Sequence, residues 1–185
     1  MSKTIGIIAG SLRKESYSKK IAKAVLLMAP QDFEFKLIAL DELPMYNQDF
    51  DDHGNVPETI EEFRNEIKII DGVIFITPEY NRSVPAVLKN ALDVGSRPSG
   101  KSVWNNKPVA IFSNSPGNIS GFGANHHLRQ SLVFLNMPTM QQPEVYLTKI
   151  HELFDDNGNI KEGSTKEFIQ KAVDAYIIWF KKNAD

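Results

Sequence analysis

A polar segment that follows the first apolar run carries residue types suited to holding an anion. The apolar residues 5–9 lead directly into GSLRKESYS at 10–18, and a helical pattern begins near Tyr17. Hydroxyl groups, an arginine and the amides of a helix start all donate to phosphate oxygens. GxGxxG and GxxxxGK[ST] are both absent, so we expect a monophosphate rather than a pyrophosphate or triphosphate. The candidate donors are Ser11, Arg13, Ser16 and Ser18. Plain capping of the helix by Ser16 or Ser18, with Arg13 in solvent, is the competing interpretation.

A second polar segment, PEYNRS at 78–83, follows the β-branched run GVIFIT at 72–77. Tyr80 offers an aromatic face against which a flat ring can stack. Backbone amides of the same segment can reach the edge of such a ring. The alternative is an ordinary turn whose tyrosine packs on its own domain.

A third segment, SNSPGNISGFG at 113–123, contains three glycines that allow the backbone to approach a ligand closely. Ser113 and Ser115 can donate to a carbonyl edge. A flexible surface loop is the alternative. Together the three segments describe a phosphate at one end and a flat heterocycle at the other, which is the shape of FMN.

Apolar runs that alternate with helical patterns predict how these segments are placed. Five strands separated by helices predict an α/β fold with three layers, in which a parallel sheet lies between two layers of helices. The expected arrangement is a doubly wound five-stranded parallel sheet with strand order 2-1-3-4-5, formed by residues 1–185 as a single domain. Ligands of such sheets bind outside the carboxyl ends of the strands, where all three polar segments lie. The predicted strands are 3–9, 35–40, 72–77, 107–113 and a short one within 139–148.

Composition excludes several classes of function. A net charge of −2 gives no electrostatic basis for nucleic-acid binding. The absence of cysteine removes disulfides and thiolate ligands, and we expect a cytoplasmic protein with no membrane span. The first residues have the pattern of a strand rather than a signal peptide. His126 and His127 point about 100° apart on a helix, so we expect no metal site there.

Four segments of the chain resemble the NADPH-dependent FMN reductase family, which is flavodoxin-like and includes bacterial quinone and chromate reductases. The resemblance covers roughly residues 4–140, and the long run at 77–98 is its most specific part. The matching segments are GSLRKESYS, TPEYNRSVPAVLKNALDVGSRP, the SPG and glycine loop at 115–123, and LRQSLVFL at 128–135.

The resemblance implies roles for residues at three places. The family's phosphate loop matches Ser11, Arg13, Ser16 and Ser18, and its ring-binding segment matches Pro78, Glu79, Tyr80 and Asn81, with Arg82 next in the turn. Ser115 and Gly117 match the loop beside the pyrimidine side of the ring. Glu15 replaces a frequent glycine and brings a carboxylate near the phosphate, so we expect it to point outward, toward Lys19.

The activity implied by the resemblance is that of an FMN-dependent oxidoreductase. NADPH or NADH would stack on the open face of the flavin and pass a hydride to it. Electrons would then go to a quinone or to another small acceptor such as free flavin, an azo or nitro compound, or chromate. Because the flavin carries the chemistry, we expect no catalytic side chain.

The resemblance also implies a homodimer or homotetramer with the third helix, 84–95, at an interface. Lys89, Asp93 and Arg97 are candidates for polar contacts between subunits. Their alternative role is that of solvated helix charges.

Two other functions remain open at this level. A flavodoxin-like FMN electron carrier would act on protein partners without a nicotinamide. Such carriers are strongly acidic, whereas this chain balances 21 basic against 23 acidic residues. A flavin-free binding module that keeps the fold is the third possibility.

Overall fold

The computed structural model describes residues 2–184 and contains one parallel sheet of five strands. The spatial order is β2-β1-β3-β4-β5, and every pairing of neighbours is parallel. This order confirms the predicted doubly wound, flavodoxin-like topology. The strands are β1 (Lys3–Ala9), β2 (Phe33–Ile38), β3 (Gly72–Pro78), β4 (Val109–Asn114) and β5 (Val145–Leu147).

Helices cover both faces of the sheet, which gives the three predicted layers. Apolar residues of α1 and α6 pack on one face, and those of α3, α4 and α5 pack on the other. The helices are α1 (Tyr17–Leu26), α2 (Asp49–Asp52), α3 (Glu58–Ile69), α4 (Ala86–Gly95), α5 (Phe122–Phe134) and α6 (Ser164–Asn183). No helix within residues 2–184 is long and apolar enough to cross a membrane.

The central strands are continuous apolar runs because both of their faces are covered. All residues of β4 and all but the last of β3 are buried. In the edge strand β2, buried and exposed side chains alternate instead, with Phe33 and Phe35 buried and Glu34 exposed between them. It begins two residues earlier than predicted, because pairing with β1 starts at Lys3 opposite Phe33.

The ends of β1, β3 and β4 bring the three polar segments to one edge of the sheet. Gly10 follows β1 directly, and its amide donates to the carbonyl of Ile76 at 2.8 Å. A Cβ atom on Gly10 would lie 3.1 Å from Leu88, so this turn passes close to α4. The chain leaves β1 toward one face of the sheet and β3 toward the other, which opens a crevice between them.

Candidate cofactor-binding site

The segment after β1 forms a cradle of donors at the start of α1. Ser11, Ser16 and Ser18 are all buried. The hydroxyl of Ser16 caps the helix by accepting from the amide of Lys19 at 3.3 Å. The capping interpretation is therefore correct for Ser16, yet it does not compete with anion binding. The first-turn amides of Tyr17 and Ser18 have no acceptor inside the helix, and the positive end of the helix dipole favours an anion beside them.

Arg13 lies on the outer side of this cradle. Its guanidinium carbon is 5.5 Å from the centroid of the Tyr17 ring, and its side chain is exposed. Tyr17 in turn stacks on Phe154 at 5.9 Å. The arginine is thus held over an aromatic ring at the helix start, within the loop that surrounds the first-turn amides.

Glu15 points away from the cradle, but toward a different lysine from the one expected. Its carboxylate is 3.7 Å from Lys20, while Lys19 lies 3.6 Å from Asp41. The expected partner is unavailable because the Lys19 ammonium also donates to the carbonyl of Leu12. The carboxylate of Glu15 is therefore turned into solvent, where water screens its repulsion of a bound anion.

Asn114 is a candidate site residue that the sequence reasoning missed. It ends β4, is buried, and its side-chain amide donates to the Ser18 hydroxyl at 3.0 Å and to the Thr77 carbonyl at 3.2 Å. One side chain thus joins the phosphate cradle to the ends of β3 and β4. The sequence signal that could have identified Asn114 is a polar residue at the carboxyl end of an apolar strand, the edge at which ligands of such sheets bind.

The segment after β3 is a tight hairpin. Tyr80 and Ser83 exchange backbone hydrogen bonds at 3.1 and 3.0 Å. The two central residues, Asn81 and Arg82, have φ of 51° and 64°, as in a type I′ turn. Tyr80 is 55% exposed, so it does not pack on its own domain and offers an aromatic face beside the crevice.

Pro78 and Glu79 lie at the base of this hairpin. Pro78 is the last residue of β3 and pairs in register with Asn114 of β4. The Glu79 carboxylate faces α5, where it accepts from the amide of Ala124 at 3.0 Å, and Arg82 donates to it at 3.3 Å. The Glu79 side chain therefore links the hairpin to α5, a contact that sequence reasoning alone did not predict.

The segment after β4 lies at the same edge of the sheet, next to the hairpin. Ser115 is tied to the end of β5 and to the backbone that follows it, since its amide donates to the carbonyl of Leu147 at 3.1 Å and its carbonyl accepts from the amide of Ile150 at 3.2 Å. The Ser115 hydroxyl accepts from the Gly117 amide at 3.1 Å. The space where Gly117 would carry a Cβ atom is open apart from that hydroxyl at 3.7 Å, so a ligand can approach the backbone there.

Ser113 does not serve as an edge donor. It is fully buried within β4, and its hydroxyl donates to the carbonyl of Val145 at 3.3 Å. The strand continues one residue further than predicted, to Asn114, which places Ser113 inside the sheet. Its suggested contact with a ligand is therefore wrong.

The three segments fit FMN as it was inferred from the residues. Helix-start amides and buried hydroxyls suit a dianionic phosphate. An exposed tyrosine and an open glycine loop follow the neighbouring strands β3 and β4, where they suit a flat ring. Among residues 2–184 no group of three or more His, Cys, Asp or Glu side chains is placed to hold a metal ion.

Curated relatives match nearly the whole chain. A quinone reductase from Pseudomonas putida strain KT2440 is 51% identical over 180 residues, which cover 97% of this chain and 96% of that protein. A 2-hydroxy-1,4-benzoquinone reductase from a Burkholderia species is 42% identical over 179 residues, covering 97% of each.

Solved structures show the same fold over the same length. The flavoenzyme FerB, an NAD(P)H:acceptor oxidoreductase from Paracoccus denitrificans, has a TM-score of 0.91 and 36% identity, covering 99% of this chain and 100% of FerB. A flavodoxin variant from Pseudomonas aeruginosa has a TM-score of 0.56 and 12% identity, covering 96% of this chain and 99% of its own, which shows a shared fold alone. Residues 4–152 match the model of the NADPH-dependent FMN reductase family, and the chain belongs to that family.

Proposed function

We propose that this protein is an FMN-dependent oxidoreductase that oxidises NADPH or NADH and reduces quinones. The observation that carries the proposal is the cradle of buried hydroxyls at the start of α1, beside an exposed tyrosine on the hairpin after β3. Relatives named quinone reductase at 51% and 50% identity support the choice of a quinone as acceptor.

We assign the phosphate of FMN to the cradle. The hydroxyls of Ser11 and Ser18 and the first-turn amides of α1 would donate to it, with Ser16 fixing the helix start. Arg13 would close the loop over the phosphate as a charged donor. These donors support a tightly held monophosphate, since charge-assisted hydrogen bonds are about twice as strong as neutral ones.

We assign the ring to the same edge of the sheet, between the hairpin after β3 and the loop after β4. Tyr80 and the backbone around Asn81 would contact one part of the ring, and Ser115 and Gly117 would lie beside its pyrimidine side. Bound FMN supplies the hydride chemistry itself, by accepting a hydride and returning two electrons. The chain's part is to hold the ring, leave one face open and keep Glu15 turned outward.

The electron-carrier alternative lacks a supporting observation. A carrier that docks on basic partners needs a strongly negative surface, and the net charge here is −2. Relatives that match 97% of the chain are named as reductases of small molecules. The cytoplasmic location expected from the lack of cysteine stays a proposal.

A second copy of the chain is our proposed partner, as a homodimer or homotetramer. The groove between α4 and α5 has a volume of about 490 Å³ and ends at Phe134, which is 89% exposed beside the exposed Val133. Such neighbouring apolar residues favour an interface. Lys89 and Asp93 pair within one chain at 2.7 Å, so of the three candidates Arg97 is the better one for contacts between subunits.

Visible absorbance tests the proposed activity. Purified protein reconstituted with FMN should show a bound-flavin spectrum that bleaches when NADPH or NADH is added without oxygen. Addition of 1,4-benzoquinone should restore the oxidised spectrum. A bound flavin that neither nicotinamide reduces would favour the carrier, and a protein that takes up no FMN would contradict the proposal.

A further inference from the structure

The hairpin after β3 is attached to α5 at both of its ends. At the entry, the Glu79 carboxylate accepts from the Ala124 amide at 3.0 Å. At the exit, the Ser83 hydroxyl and Nδ1 of His127 share a hydrogen bond of 2.9 Å. Both attachment points lie in the first two turns of the helix, so the hairpin and the start of α5 form a single unit.

A glycine permits this close approach. A Cβ atom on Gly123 would lie 2.6 Å from the Arg82 carbonyl oxygen and 3.0 Å from the Glu79 carboxylate. The first contact is with backbone, which cannot swing aside as a flexible side chain does. Any larger residue at this position would push the hairpin away from the helix.

The Glu79 carboxylate lies at the positive end of the α5 dipole. Its side chain is only 11% exposed, and a carboxylate so far from water needs charged or strongly polar partners. The Ala124 amide belongs to the first turn of α5, whose amides lack acceptors within the helix and carry the positive end of the dipole. Arg82 supplies the opposite charge at 3.3 Å.

The two helix starts at this edge of the sheet are therefore used differently. The first-turn amides of α1 face the cradle, where we assign the phosphate. The start of α5 is occupied by Glu79 from within the chain. The attachment also holds the positive φ of Asn81 and Arg82, a conformation that is costly for arginine.

We propose that Glu79, Ser83 and Gly123 are positioning residues that fix the hairpin on α5 and so preform the slot for the flavin ring. The inference rests on the proposed function, because it assigns the ring to the space between this hairpin and the loop that leads into α5. A preformed wall binds its ligand more tightly, since no loop has to be ordered on binding. Loss of the attachment should weaken FMN binding. Changes within one binding site act mostly on the dissociation rate, so we expect FMN to leave faster.

The first test needs no flavin. Amide hydrogen exchange of the FMN-free protein should show a slowly exchanging Ala124 amide that becomes at least tenfold faster in Glu79→Ala. Glu79→Gln keeps an oxygen that can accept from this amide and should stay within about threefold of the unmodified protein. Glu61→Gln, an exposed change on α3, is the matched control. Equal exchange at Ala124 in the unmodified protein and Glu79→Ala would overturn the attachment.

The second test measures FMN dissociation by the recovery of free-flavin fluorescence. Glu79→Ala should release FMN at least tenfold faster, and Ser83→Ala should release it about two- to fivefold faster. Gly123→Ala disturbs the same contact through a different atom and should match Glu79→Ala, which covers the case of one variant failing to fold. Unchanged dissociation rates in folded Glu79→Ala and Gly123→Ala would overturn the positioning role.

The two tests separate this inference from the proposed function. Failure of the unmodified protein to bind FMN would refute the flavin assignment, and the positioning role with it, whatever the exchange rates are. Normal FMN binding with an unaltered dissociation rate in both folded variants would refute the positioning role alone.

Discussion

The side chain of Asn114, at the end of β4, donates to the hydroxyl of Ser18 in the first turn of α1 at 3.0 Å. The two residues are 96 positions apart in the chain, and both are buried. The same amide also donates to the carbonyl of Thr77 at 3.2 Å. This arrangement holds the helix start that we assign to the phosphate against the edge of the sheet that we assign to the ring.

We expect Asn114→Ala to weaken both folding and FMN binding. The change leaves the Thr77 carbonyl and the Ser18 hydroxyl without their partner, which costs about 1–3 kcal/mol of unfolding free energy. FMN affinity should fall about tenfold, because the cradle loses its support. Denaturant unfolding and a fluorescence titration with FMN measure the two effects.

Asn55→Ala is the control for that experiment, since Asn55 is exposed in the loop before α3. It should change neither quantity measurably. Full FMN affinity in Asn114→Ala would show that the cradle keeps its shape without the link to β4.

The strands and the three site segments were predictable because their signals are local. Buried parallel strands are apolar throughout, and the carboxyl ends of such strands form one edge, so β1, β3 and β4 place the segments without knowledge of any contact. Type and position left Ser16 and Ser18 as alternative helix caps, and the structure selects Ser16. The contacts of Asn114 and Glu79 were not predictable, since their partners lie 96 and 45 positions away.

The direction of Glu15 shows the same limit on a smaller scale. Helical spacing favoured Lys19, four residues on, but Asp41 and the carbonyl of Leu12 draw that lysine to the other side. Spacing identifies which residues can meet, and competing partners from other elements decide which of them do.

We expect Glu15→Ala to leave FMN affinity within about threefold of the unmodified protein at physiological ionic strength. The Glu15 carboxylate is exposed and lies near Lys20, so both water and the lysine reduce its effect on a nearby anion. Screening weakens at low salt, so the variant should gain somewhat more affinity at about 10 mM than at about 150 mM salt. Calorimetric titration with FMN at both salt concentrations measures this.

Glu34→Ala, an exposed change on the edge strand β2, is the control for general charge effects. A tenfold or larger gain in affinity for Glu15→Ala at physiological salt would mean that this carboxylate does face the phosphate. It would also show that Glu15 lowers the affinity for FMN.

A buried ion pair fixes the long loop after β2. Arg64 donates to both oxygens of Asp51, at 2.7 and 2.8 Å, and the two side chains are only 12% and 7% exposed. Tyr46 donates to the same carboxylate at 2.9 Å. The hydrogen bonds from Arg64 lower the pKa of Asp51 below its ordinary value of 3.8, against the opposing effect of burial.

We expect Asp51→Asn to lower the unfolding free energy by about 3 kcal/mol at neutral pH, because it leaves a buried arginine without its counter-charge. Because the pKa of Asp51 is lower in the folded state, ionised Asp51 stabilises the fold at pH values above 3.8. This contribution is lost as the pH falls toward the folded-state pKa. The difference in unfolding free energy between Asp51→Asn and the unmodified protein should therefore be constant above about pH 5 and shrink below pH 3.8. Urea unfolding across pH measures it, with the exposed Asp52→Asn expected to change stability by less than about 0.5 kcal/mol. A difference that grows at acid pH would contradict the assigned sign.

The exposed end of α5 makes the proposed assembly testable. Phe134 is the last residue of α5 and is 89% exposed at the groove beside α4. Leu27 caps the end of α1 and is 84% exposed on the other face of the sheet, away from this groove. Both residues are large, apolar and at the end of a helix, so Phe134→Asp and Leu27→Asp differ mainly in which surface receives the charge.

If a second copy covers the groove, Phe134→Asp should shift the sedimentation coefficient toward that of a monomer at micromolar concentration, because a buried carboxylate without a partner is costly. Leu27→Asp should sediment like the unmodified protein. If the unmodified protein and both variants sediment as the same oligomer, the interface lies on another surface. If the unmodified protein sediments as a monomer, the proposal of a second copy as partner is wrong. Flavin content measured on the same samples then shows whether the ring slot is complete within one chain, since a monomeric Phe134→Asp that retains FMN has every residue the cofactor needs.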